Sequence, residues 1–214
     1  MGRFWSLLFL LVPVLGVATF YMAANDMPPF RGIWLPEDIS THGHVIDSLY
    51  MFILYLTGAV FIATGIALFV FLWRYDAARS NEPVQFVHGS HTLEVVWSIV
   101  PAATLLFIAI YQMDTWAQAR IERPAMLPGA DGVVGTADDS AMLEVTGRQF
   151  EWRIRYPGHD QILLTPDDLF TVNDLRVPVD EEVVLSLKSD DVLHSFFLPN
   201  LRVKNDAVPG MKQF

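Results

Sequence analysis

Six histidines and no cysteine bound the metal chemistry open to this chain of 214 residues. His194 sits in the run Asp191-Val192-Leu193-His194-Ser195-Phe196-Phe197-Leu198-Pro199. That pattern reads as an apolar strand closed by a turn. It is where a metal-binding β-barrel would hold a ligand, and imidazole is a common one. Without cysteine there is no thiolate to share a metal, no disulfide and no thiolate nucleophile. Taken alone, a strand histidine is more often a core or turn residue with satisfied hydrogen bonds. Phe150 and Trp152 fall on alternate positions of VTGRQFEW, residues 145–152, and that period places them in a β core. Glu94 stands at the mouth of an apolar run. A carboxylate there meets a favourable helix dipole and can load protons from bulk water at a membrane edge. As a plain charge it would only help to orient the helix. His42, His44, His88, His91 and His159 fit no ligand spacing.

The elements that must position these groups divide into two kinds. Hydrophobic residues make up 52% of the chain and mean hydropathy is positive, but the average hides a split. From Asp114 onward, ten Lys and Arg stand against seventeen Asp and Glu, a net charge of −7. An apolar half is joined to an acidic half. The acidic half argues against nucleic acid, which needs cationic side chains to replace its counterions. It favours a cationic partner, since complementary fields speed encounter.

Three apolar runs fill the first half. Phe4–Ala24 follows Arg3 and reads as a signal peptide or, by its length, as a membrane span. An uncleaved first helix is the expectation. Leu49–Trp73 holds no charge and is long enough to span with some tilt. Tyr50 at one end and Trp73 and Tyr75 at the other resemble interface anchors. Val95–Met113 is the third run, with Pro101 tolerated inside a membrane helix. Arg3, Arg74 and Arg79 on one side, against Arg31 on the other, put the N-terminus inside and the acidic half outside. The expected domains are therefore 1–24, an N-terminal helix; 45–115, a two-helix hairpin; and 116–214, an outer β domain.

Within that domain, Met142–Tyr156 alternates with a shift at Gly147-Arg148-Gln149. Asp174–Leu187 reads as strand, turn, strand, and Val192–Leu198 as a further strand. Pro157-Gly158, Val179-Asp180 and Pro209-Gly210 punctuate them. Gly129–Ser140, with Asp131, Asp138 and Asp139, lacks EF-hand spacing and reads as a solvated loop.

Membrane anchor, outward β domain and LHSFFLP in that order resemble subunit II of the haem–copper oxidases, in the cytochrome c oxidase branch more than the quinol oxidase branch. The matching stretches are LEVVWSIVPA (Leu93–Ala102), VTGRQFEW (Val145–Trp152) and SDDVLHSFFLPNLRVKNDAVPG (Ser189–Gly210). With the second and third helices they cover roughly residues 45–214.

The resemblance implies a cupredoxin-like β-barrel on a transmembrane hairpin, the first helix being extra. It implies a dinuclear copper centre, CuA, with His194 as its first ligand. In the family the cysteines, a second histidine and a methionine follow the D-A-(I/V)-P-G segment by about two dozen residues. Here that segment is Asp206–Gly210, four residues before the last. Copper electron-transfer sites need soft thiolates, so these 214 residues are not expected to bind CuA by themselves. The expectation is a sequence cut short of the copper loop; a copper-free relative is the alternative, opposed by the retained His194.

The resemblance also makes Glu94 the mouth of a proton-uptake path. It makes Phe150 and Trp152 the region where electrons enter, with Phe150 in place of the usual tryptophan and Glu151 in place of a tyrosine. That departure leaves a tethered cytochrome c donor as fitting as a soluble one. Asp190 and Asp191 would belong to an acidic docking face, and Asp206 would lie near subunit I. The implied partners are subunit I with its haems, other oxidase subunits, cytochrome c and membrane lipid, in a bacterial-type inner membrane. A quinol-oxidase subunit without copper, or a non-enzymatic assembly module, are the rival functions. The module would leave strand edges unpaired.

Overall fold

The computed structural model describes residues 2–76, 86, 88–120 and 141–214. Arg79 and the Gly129–Ser140 loop lie outside these residues. The chain clusters into two units, Met1–Thr115 and Trp116–Phe214.

The first unit holds α1 (Gly2–Ala24), α2 (Gly43–Arg74) and α3 (His91–Tyr111). Among the described residues these are the three helices long and apolar enough to cross a membrane. Their exposed Leu, Val, Ile and Phe side chains suit a solvent of lipid, where burying apolar surface gives no gain over exposing it.

α2 starts six residues before the uncharged run. Hydropathy ends at the polar His44, Asp47 and Ser48, but helical hydrogen bonding does not: Val45 N donates to His42 O at 3.1 Å and Ser48 Oγ to His44 O at 2.7 Å. At 1.5 Å per residue its 32 residues reach about 48 Å. That exceeds a hydrocarbon layer of about 30 Å, so α2 must tilt or project. α3 likewise begins early, at His91, with Ser90 as its N-cap and Glu94 in its first turn. Phe52 near the start of α2 meets Phe107 and Tyr111 near the end of α3, at 6.1 and 5.3 Å between ring centres. A turn at Gln112 separates α3 from the short α4 (Met113–Arg120).

The second unit is β. A four-stranded sheet has the order β3-β2-β1-β4, from β1 (Leu143–Arg148), β2 (Glu151–Tyr156), β3 (Leu169–Val172) and β4 (Leu185–Ser189). β5 (His194–Leu198) and β6 (Val203–Ala207) form a second, antiparallel pair. β1 is antiparallel to β2 and parallel to β4. Being central, it is covered on both faces. Leu143 and Val145 join Ile154, Leu187, Phe196 and Ala207 in the core. The buried Glu144 on the other face is paired with Lys188 Nζ at 3.1 Å and, more loosely, with Arg155 Nε at 3.7 Å. Pairing of this kind offsets the cost of burying a carboxylate. Beyond β4, Leu187 exchanges two backbone hydrogen bonds with Gln213, at 2.8 and 3.0 Å.

Two strand expectations are corrected, and one strand, β3, is added. Met142–Tyr156 is a hairpin rather than one shifted strand: Arg148 pairs with Glu151, which leaves Gln149-Phe150 as a two-residue loop. Phe150 is therefore 95% exposed, not in the core. Residues 174–184 form no ladder; Pro178 has no N–H to give one, and the chain turns at Val179-Asp180. β3 carried too short an alternation to be expected.

Candidate functional site

The site gathers where β5 crosses the β1–β2 hairpin. His194 is the first residue of β5 and pairs with Ala207 of β6. Its side chain is 18% exposed. One ring face lies edge-on to Trp152 at 5.7 Å, and Trp152 in turn meets Phe196 at 5.3 Å. Both rings rest on Gly147. A Cβ there would stand 2.9 Å from His194 Cδ2 and 3.0 Å from Trp152 Cζ3, closer than real Cβ contacts run. Glycine is thus required by the close approach of two rings to the strand.

Asp191 fixes the imidazole. Its Oδ1 lies 2.6 Å from His194 Nε2, and its Oδ2 accepts Gln149 N at 2.7 Å. Val192 N donates to Oδ1 at 2.6 Å. These contacts, the His194 bond first, hold the Asp191 carboxyl well below the usual carboxylate range. An ionised carboxylate on Nε2 favours the tautomer with its proton there. The lone pair of Nδ1 is then free to bind something else. The loop before β5 is itself tied down: Asp190 N donates to Gly147 O at 3.1 Å, and Ser189 Oγ donates to Val192 O.

Of the predicted site residues, His194 and Trp152 come together; Phe150 stands out at the hairpin tip. Trp152 is only partly buried, and its backbone N–H donates to Asn173 Oδ1 at 2.8 Å. Glu94 belongs to the other unit. It is 69% exposed in the first turn of α3, 3.8 Å from His91 Nδ1. Sequence reasoning had placed Asp191 with Asp190 on a docking face, and missed its bond to His194, although the D-x-x-H spacing was visible. Asp206, on β6, is exposed opposite Ser195. Among the described residues no three His, Asp or Glu side chains gather as a metal site.

Three membrane-length helices and a two-sheet β domain with a strand histidine held by a carboxylate define a membrane-anchored, cupredoxin-like protein. Comparison with known proteins gives the family. Residues 29–115 match the transmembrane domain of cytochrome c oxidase subunit II, and residues 142–213 match its periplasmic domain. The chain belongs to the cytochrome c oxidase subunit II family. It is 26% identical to cytochrome c oxidase subunit 2 of Thermostichus vulcanus, over 83% of this chain and 64% of that protein. It is 33% identical to the Oenothera berteroana protein of the same name, over 77% of this chain and 63% of that one. With a probable cytochrome c oxidase subunit 2 of Rickettsia bellii it shares 27% identity, over 90% and 70%. The chain thus spans about two thirds or less of the length of several curated relatives it matches.

Proposed function

We propose that this chain serves as subunit II of a terminal aerobic oxidase. That subunit takes electrons from cytochrome c at a CuA centre and passes them to haem in subunit I, where oxygen is reduced and proton pumping is driven. The observation that carries the reading is the His194–Asp191 pair: a strand imidazole oriented by a carboxylate, with one nitrogen left for a ligand and an aromatic ring in T-shaped contact beside it.

The residues in hand do not complete such a centre. An electron-transfer copper site would need soft thiolates, and these 214 residues hold no cysteine. His194 would supply one nitrogen donor to it. What the chain's own residues do is orient that donor and place Trp152 beside it and Phe150 at the exposed tip, as an approach for an electron donor, soluble or tethered. Glu94 is read as the mouth of a proton-uptake path, supported by its exposure at the start of a membrane helix. The arginine balance puts that end inside and the β domain outside a bacterial-type inner membrane.

The rival is a copper-free subunit of a quinol oxidase. Missing cysteine favours it, and the Asp191-held His194 opposes it. Two tests separate them. One is metal analysis of the purified complex, where two coppers beyond those of subunit I support the first reading. The other is translation of the frame past Phe214, where absence of a C-x-x-x-C loop would sink it.

A further inference from the structure

We infer that Asn173 is the positioning residue of Trp152. It holds the stretch of backbone from which that ring is aimed at His194, and it does so with a side-chain oxygen set where a strand carbonyl would stand. The inference rests on the reading of Trp152 as part of the electron approach.

The regular pairing of β2 with β3 ends at Arg153 and Val172. One step further along, Asn173 N donates to Trp152 O at 2.8 Å, as in a ladder. The return bond does not use the Asn173 carbonyl. Trp152 N donates instead to Asn173 Oδ1, at 2.8 Å. Asn173 is left-handed, at φ 54°, and an extended strand cannot continue through such a residue. Asparagine is one of the few residues that tolerate this conformation. Its amide oxygen is also an acceptor like that of the backbone. β3 can therefore end, and the chain depart through residues 174–184, which form no ladder, without giving up the last rung on Trp152.

On its other side Trp152 pairs with Gly147 of β1. Facing residues of an antiparallel pair alternate between hydrogen-bonded and non-hydrogen-bonded kinds. A strand residue turns its N–H and C=O to the same side, and both of these groups on Trp152 go to Asn173. The pairing with Gly147 is then the kind without hydrogen bonds, in which the facing Cα atoms come closest. Gly147 O accepts Asp190 N, from the other direction. So the close approach that lays the Trp152 ring on Gly147, and in T-shaped contact with His194 at 5.7 Å and Phe196 at 5.3 Å, has no backbone bond of its own. Asn173 supplies both from the far side of β2. Asp191 does the same for the hairpin tip through Gln149 N. Asn173 is itself exposed, so replacing it opens no cavity in the core.

The test uses the solubilised full chain, labelled with 5-fluorotryptophan and with ring-labelled histidine. Loss of a signal in Trp152→Phe and in His194→Gln identifies the two resonances. Asn173→Gly keeps the left-handed turn and the N–H but loses the oxygen. Asn173→Val loses the turn as well, because a β-branched residue avoids positive φ. Asn173→Asp keeps both. Without denaturant, the Trp152 and His194 signals are expected to shift in Asn173→Gly, to shift further in Asn173→Val, and to stay at their wild-type positions in Asn173→Asp. A merely structural role would lower the urea midpoint and leave these native-state signals in place. Signals unmoved in both Asn173→Gly and Asn173→Val, or moved as far in Asn173→Asp as in Asn173→Val, overturn the inference. In the assembled oxidase, reduction by cytochrome c is expected to slow several-fold in Asn173→Val and to recover in Asn173→Asp. Shifted signals with an unchanged rate would uphold Asn173 as the residue that positions Trp152 and overturn instead the place of Trp152 in the electron approach.

Discussion

Asp191 Oδ1 lies 2.6 Å from His194 Nε2, while the other oxygen of the same carboxylate accepts the amide of Gln149 at 2.7 Å. One side chain thus holds both the histidine and the tip of the β1–β2 hairpin. Asp191→Asn is expected to keep the Gln149 bond and lose the preference for the proton on Nε2. NMR of labelled His194 should show a mixed tautomer where the wild type shows one. An unchanged tautomer would remove Asp191 from the role of orienting residue.

The same carboxylate sets an acid limit on the β domain. The folded state lowers the Asp191 pKa, through His194 first, and lowers that of Asp167, through Thr165 first. Unfolded carboxyls titrate near 4. Between the folded and unfolded values the unfolded chain binds more protons, so stability rises with pH there. The stabilisation is present above about pH 4 and is lost as pH falls through the lower folded values. Urea melts of the solubilised chain should weaken below that point. Asp191→Asn should flatten the fall, and an identical pH profile would contradict the assignment.

Gly147→Val should drive a side chain into His194 and Trp152. Overpacking of this kind typically costs about 1–3 kcal/mol. Trp152 reports it: its emission is expected to shift as the ring leaves the histidine. A variant with wild-type melting and emission would show that the rings have room after all.

Leu187 is 1% exposed and joins β4 to the core. Leu187→Ala should destabilise the domain by roughly 2–5 kcal/mol, read as a lower urea midpoint with little change in slope. Val179, which is 84% exposed, serves as control; Val179→Ala is expected to stay within about 0.5 kcal/mol of wild type.

Glu94→Gln keeps shape and polarity but cannot carry a proton. Its exposure predicts unchanged melting of the chain. In the assembled oxidase, proton-coupled turnover should fall several-fold while reduction by the electron donor keeps its rate. Unaltered oxygen consumption would leave Glu94 as a plain helix-end charge.

Much of this protein could be read along the chain because the deciding physics is local. A charge-free run long enough to span a bilayer announces a membrane helix whatever surrounds it. So Leu49–Trp73 marked α2, and only its polar first turns, held by hydrogen bonds rather than hydropathy, went unseen. Short alternations marked the β half, and a long specific motif marked His194. Tertiary structure decided the rest, because the deciding contacts join residues far apart. The reversal at Gln149-Phe150 put Phe150 in water, and a hydrogen bond from the Gln149 backbone N–H to Asp191, 42 residues on, holds that reversal in place. Gly147 looked like a break in a strand until His194 and Trp152 came to lie on it. Pro13 and Gly65, each a mild fault in its own helix, meet where α1 packs on α2. A sequence states which faces are apolar; which small residue must stand under which ring is settled only when the elements meet.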